Sequence, residues 1–194
     1  MLTLLLVRPG ETEYDQQGRI QGTLDIPLCE DGRQQTRDAL DDLVAAGPSI
    51  VYTSPCQAAQ QTGELVAEAA GVKQKALDKL SNLDHGLWQG MLVDEVRTKQ
   101  PKVYRQWQDS PQTVCPPDGE PLSNAKARVA EAIRKLRKKH KEGGVIALVS
   151  PEPLASVVRH VLRHDELTDL WQGSERCGVW EAIEVSDEQP VGAA

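Results

Sequence analysis

Residues Leu2–Thr12 read LTLLLVRPGET, and the fold follows from this stretch. Leu2–Val7 is an apolar run closed by Arg8-Pro9-Gly10, which suits a strand buried on both faces at the centre of a sheet. Two later runs repeat the pattern, Ile50–Tyr52 and Val145–Val149 (VIALV). Helical patterns lie between them. One opens near Glu30–Asp31, sets Thr36, Leu40, Leu43 and Val44 on one side, and stops before Gly47-Pro48. Ser54-Pro55 reads as an N-cap followed by the first helical residue, and that helix runs through Leu65 and Val66 to Gly71. Residues 82–121 are loop-rich, with short helices expected around Leu92–Arg97 and Val103–Trp107. A long amphipathic helix then carries Leu122, Ala125, Val129, Ile133 and Leu136 inward and ends at Gly143-Gly144. Pro151 opens another helix, and Val179–Val185 alternates like a last, partly exposed strand. Strands alternating with helices specify an α/β fold, a mostly parallel central sheet with helices on both faces.

The chain has 194 residues, 39% of them hydrophobic, enough for one core. One domain over residues 1–187 is expected, with a flexible tail at 188–194. The formal charge of −7 disfavours nucleic-acid phosphates as partners. Arg134–Lys141 (RKLRKKHK) is locally basic and reads as an exposed helix face. Cys29, Cys56, Cys115 and Cys177 are scattered, which suggests neither a metal site nor a disulfide framework and fits a reducing cytoplasm. The run Leu2–Val7 is too short for a membrane span. No cofactor is indicated.

In such sheets ligands sit beyond the carboxyl ends of the strands, which singles out Arg8–Thr12 and Ser150–Pro153. There the sequence resembles the histidine phosphatase superfamily, the phosphoglycerate mutase-like fold. RPGETEYDQQGRIQGTLDIPLCEDGRQQ is similar to R-H-G-E-T-x-W-N-x-x-G-R-x-Q-G-x-x-D-x-P-L-T-x-x-G-x-x-Q. YTSPCQAAQQT resembles S-x-L-x-R-A-x-Q-T, and LSNLDHGLWQG resembles L-x-E-x-x-x-G-x-W-E-G. PPDGEPLSNAKARV and ALVSPEPLASVVRHVL resemble the family's last two segments, and the five matches keep family order over about residues 2–185. The resemblance implies a His that attacks phosphorus to form phosphohistidine. It also implies two Arg and a second His that hold the phosphoryl oxygens, and an acid that protonates the leaving oxygen.

Carried over residue by residue, those roles fall on other chemistry. Pro9 takes the nucleophile's position and Pro151 the second histidine's; Ala58 takes the second arginine's and Asn82 the acid's. Of the core set only Arg8 remains. Asp15 stands where the family has a phosphate-contacting Asn, and Glu152 where it has Gly. At roughly 4 Å and an effective dielectric near 20, each carboxylate would oppose a phosphate charge by about 4 kcal/mol. Ser150 as N-cap, Pro151 first in the helix and Glu152 next would also place the protein's own anion at a helix start. The expected vestigial pocket is Arg8, Asp15, Arg19, Gln21, His85 and Glu152, with Arg8 paired to Asp15 or Glu152 and His85 near the rim.

Two functions are expected from this reading. The first is a non-catalytic binding, scaffolding or regulatory module for a protein partner or small ligand. The alternative is a divergent phosphomonoester hydrolase whose site is rebuilt from Asp15, Glu152, His85 or Cys56.

Overall fold

The computed structural model describes residues 1–167, 170 and 177–185. The tail expected at 188–194 and Trp171 lie outside these residues. Among the described residues five strands form one sheet in the order β3-β2-β4-β1-β5. They are β1 (Leu2–Val7), β2 (Ile50–Thr53), β3 (Lys73–Ala76), β4 (Gly144–Val149) and β5 (Trp180–Val185). The pairs β1·β4, β2·β4 and β2·β3 are parallel, and only β5 runs antiparallel, against β1.

The alternation within β1 explains the two layers. Leu2, Leu4 and Leu6 point into a core built with α7 (Leu122–Lys139) and α8 (Leu154–Arg163). Leu5 and Val7 point to the other face, against Leu43 of α3 (Leu40–Ala45) and Ala59, Val66 and Ala67 of α4 (Gln57–Ala70). A strand covered on both sides must be apolar at every position, which is why LTLLLV reads as a continuous run. The remaining helices are α1 (Glu13–Gln17), α2 (Glu30–Asp38), α5 (Val93–Lys99) and α6 (Pro101–Asp109). No helix among the described residues is long and apolar enough to cross a membrane.

Three local expectations need correction. Strand β3, sequence KQKA, went unread because its side chains are polar; it is the sheet edge, where lysines suit an exposed strand. Helix α4 starts at Gln57 after Cys56, not at Ser54-Pro55, since the backbone amide of Ser54 still bonds the carbonyl of Val149 at 2.9 Å. Helix α8 starts at Leu154 after Pro153, so Pro151 lies in the loop before it and Ser150 caps nothing. The amide of Ser150 instead continues the sheet ladder to the Val7 carbonyl at 2.9 Å.

Candidate active site

Register positions the site. Val7 lies opposite Val149 in the parallel pair β1·β4, so the chain leaves both strands side by side and Pro9 and Pro151 meet. Both line one cavity of about 70 Å³, room for several waters. Arg8, Asp15, Arg19, Gln21, Ala58, His85 and Glu152 share that lining. The loop after β1 is tied down by side chains that the sequence retains. Thr62 Oγ1 accepts the Gly10 amide at 3.3 Å, and Gln61 Oε1 accepts the Leu28 amide at 2.9 Å. Gly10 itself is required for close approach, because a Cβ there would stand 2.0 Å from the Gly32 carbonyl oxygen.

Arg8 is the cavity's principal cation, its side chain 11% exposed. Its Nε lies 3.6 Å from Oε1 of Glu152, itself 5% exposed. That separation is beyond a hydrogen bond, and Arg8 Nε is a buried donor with no acceptor among the described residues. Burial pulls the Arg8 pKa below its ordinary value, with the Glu152 carboxylate acting in the opposite sense; a guanidinium nevertheless stays charged. Glu152 is held elsewhere too, by Arg159, by the Ser156 amide at 3.0 Å and by Ser156 Oγ at 2.7 Å. Arg19 is braced by the Gly90 carbonyl at 2.6 Å and Gln17 at 2.7 Å. Asp15 Oδ2 accepts from the Thr12 amide at 2.8 Å and from Thr12 Oγ1 at 2.7 Å, a capping box that opens α1.

Asn82 lies behind the cavity, buried, with all its bonding capacity used. Its Nδ2 donates to the carbonyls of Gly22 and Glu152 at 3.1 and 3.0 Å. Its Oδ1 accepts from the amides of Leu83 and Leu154 at 2.9 and 3.3 Å. With Ala155 bonded to the Pro151 carbonyl and Ser156 to Glu152, the first amides of α8 are all partnered by the protein. The helix end that would otherwise serve an anion is closed, here by Asn82 and Glu152 together.

His85 lies deeper than a rim residue: it is 1% exposed, packed edge-on to Trp107 with ring centroids 5.3 Å apart. Cys56, in contrast, lines no part of the cavity and packs against the α3–α4 core, where burial raises its thiol pKa. Cys177, one of the four cysteines scattered in the sequence and not expected in the pocket, does line it. The Gly178 amide bonds the Pro9 carbonyl at 2.9 Å and brings Cys177 in, a long-range contact with no local signal. Burial pushes the Cys177 thiol up to about 12, and Asp15 adds to the shift. Among the described residues no group of three or more His, Cys, Asp or Glu converges as a metal site would require.

The family model for the histidine phosphatase superfamily (branch 1) matches residues 4–191. The chain belongs to that superfamily. Phosphoserine phosphatase 1 of Hydrogenobacter thermophilus is 33% identical over 88% of this chain and 81% of its own length. A probable phosphoglycerate mutase GpmB of Serratia proteamaculans is 32% identical over 69% of this chain and 62% of its own length. Among solved structures, YhfR of Bacillus stearothermophilus has TM-score 0.84 and 26% identity, covering 96% of this chain and 93% of its own. A mycobacterial glucosyl-3-phosphoglycerate phosphatase shares the fold at TM-score 0.83 and 23% identity, over 95% of this chain and 91% of its own.

These relatives overturn the expectation of a superfamily domain kept for binding or scaffolding alone. The Hydrogenobacter relative, matched over most of the chain, is named as a phosphatase, which favours the hydrolase alternative. The cleft supplies a physical reason: the prolines have not filled it. It stays open, with Arg8 and Arg19 in its wall and a buried donor unmet.

One consequence for this superfamily member concerns pH. Burial lowers the His85 pKa from 6.5 to about 4, against a smaller opposing effect of Asp84. Between those values the unfolded chain binds the proton and the folded one does not. Stability contributed by the neutral imidazole is therefore complete above 6.5, declines as pH falls toward 4, and levels off below. At about pH 5 the loss from this group is about 2 kcal/mol. Urea midpoints measured on both sides of this window should show the loss in the natural chain and lack it in His85→Gln. Parallel losses in the two proteins would assign the acid sensitivity to other groups.

Proposed function

We propose that this chain is a phosphomonoester hydrolase with a rebuilt centre, in which water takes the place of the histidine nucleophile. The observation that carries this reading is the buried Nε–H of Arg8, a residue of the cavity wall, which lacks an acceptor among the described residues. A buried donor left unmet costs about 1–3 kcal/mol, and a phosphoryl oxygen removes that cost. Arg8, with Arg19 beside it, holds the phosphoryl group and balances the charge that develops on it. Neither proline offers a nucleophilic atom, and a Cys177 thiol pushed up to about 12 is scarcely ionised at neutral pH. Water then supplies the new O–P bond while the ester P–O bond breaks. Asp15 takes the water proton, because Glu152 is bound on both oxygens by Arg159 and Ser156.

The same inventory sets the substrate class. Asn82 cannot protonate a leaving oxygen, and a His85 with a pKa of about 4 is neutral. Esters whose leaving group needs no proton, phenolic or enolic phosphates, are favoured over alkyl phosphates such as O-phosphoserine. General-acid assistance contributes roughly a hundredfold or more, so aryl phosphate should exceed alkyl phosphate in kcat/KM by about that factor. The test is a steady-state assay of the purified chain on both esters, with acid quenching to look for phosphoprotein. Turnover without an acid-labile phosphoprotein is expected. Aryl phosphate release no faster than in an Arg8→Gln variant prepared alongside would overturn the reading.

A further inference from the structure

Away from the cleft, a second cavity of about 310 Å³ opens between edge strand β3, the turn at Asp78–Leu80 and the last turns of α7. It shares no lining residue with the first. Its apolar surface comes from Leu77, Ala132 and Leu136, and four lysines surround it: Lys75, Lys79, Lys135 and Lys139. Arg134–Lys141, which reads from sequence as a solvated basic face, thus contributes two of its lysines to a concave surface.

The charges there are unbalanced, four lysines against the carboxylates of Asp78, which also lines the cavity, and Glu131. Lys79 and Lys135 share one carboxylate, Glu131, the second at 3.0 Å. Among the described residues neither Lys75 nor Lys139 has a carboxylate in ion-pair range, although the chain as a whole carries a charge of −7. A surface lysine ordinarily extends its head into water. Lys139 turns back instead: its Nζ donates to the buried Tyr52 hydroxyl at 2.9 Å and sits 5.3 Å from that ring's centroid. His140 Nε2 lies 3.0 Å from the same hydroxyl, and burial with the neighbouring Lys139 lowers its pKa. The Tyr52 oxygen accepts from Lys139, which fixes the ammonium at the cavity wall.

From this geometry we infer that the cavity is a binding site for a small polyanion with two or more phosphate groups and an apolar or planar body. The lysines neutralise the phosphates, and Leu77 and Leu136 pack against the body. A compact multiply charged ligand fits better than a single phosphate, because the ammonium groups are spread around the rim and not gathered on one point.

The test is calorimetric titration of the full chain with inorganic pyrophosphate and with ADP. ADP should bind at least about tenfold more tightly than pyrophosphate, the difference reporting the apolar floor. Lys75→Gln and Lys139→Gln should each weaken ADP about tenfold, and the double variant about a hundredfold. These lysines are remote from the cleft lining, so hydrolysis of aryl phosphate should be unchanged in all three variants. ADP binding that survives in the double variant and disappears in Arg8→Gln would place the ligand in the cleft and overturn the inference. So would absence of binding, or ADP binding no tighter than pyrophosphate. Activity and ADP binding are read separately, so failure of the hydrolase reading leaves this test intact.

Discussion

A Glu152→Gln variant is expected to bind inorganic phosphate about a hundredfold more tightly than the natural chain while folding less stably. The two effects come from one charge. Glu152 is almost fully buried and lies 3.6 Å from Arg8 Nε, so it offsets the cation that a phosphate needs. A carboxylate about 4 Å from a phosphate oxygen, at an effective dielectric near 20, repels it by about 4 kcal/mol. Partial solvent access to the open cavity reduces this, and a loss of about 2.7 kcal/mol of repulsion corresponds to the hundredfold change. Without ligand, the amide leaves Arg8 buried beside a neutral group, and breaking a buried pair costs about 3–5 kcal/mol. The lower end applies, because the amide oxygen can still accept from Ser156 and because Arg159 is 31% exposed. Thermal melts with and without millimolar phosphate separate the terms. The variant should melt lower in buffer and recover more on adding phosphate than the natural chain does. Equal phosphate affinity in the two proteins would show that Glu152 does not guard Arg8.

The Asp15→Asn variant should lose about a thousandfold in kcat with aryl phosphate, within the range that a positioned base contributes. Its KM should fall at the same time, since a negative charge facing a dianion has been removed. That opposite movement distinguishes a proton acceptor from a residue that only shapes the loop. The loop itself should survive, because Asn Oδ1 can accept from the Thr12 amide and hydroxyl as Asp15 does. Loss of charge at the start of the short helix α1 costs only about 0.3–1 kcal/mol. A kcat within a few fold of the natural chain, with the fold intact by circular dichroism, would remove Asp15 from the chemistry.

The superfamily and the α/β architecture were legible in the sequence because each rests on local or periodic signals. LTLLLV and VIALV are apolar at nearly every position, as only strands covered on both faces need to be, and α7 repeats its apolar residues at helical spacing. The resemblance also set Pro9, Ala58, Asn82 and Pro151 at the positions where it implies catalytic groups, a reading that rests on motif order. What became of those positions was not legible. That Asn82 bridges Gly22, Glu152 and Leu154 depends on three segments distant in the chain, and no spacing rule encodes their meeting. The start of α8 moved from Pro151 to Leu154 because the Ser150 amide is used by the sheet, a partner that exists only once β1 and β4 are paired. His85, expected in the pocket near its rim, lies deep through its packing on Trp107, and Cys177 entered the cavity by the bond from Gly178 to Pro9. Residue identity alone determined which side chains the strand ends could offer. Burial and neighbours, set by tertiary structure, decided which charges face the cleft and which of its donors still lacks an acceptor.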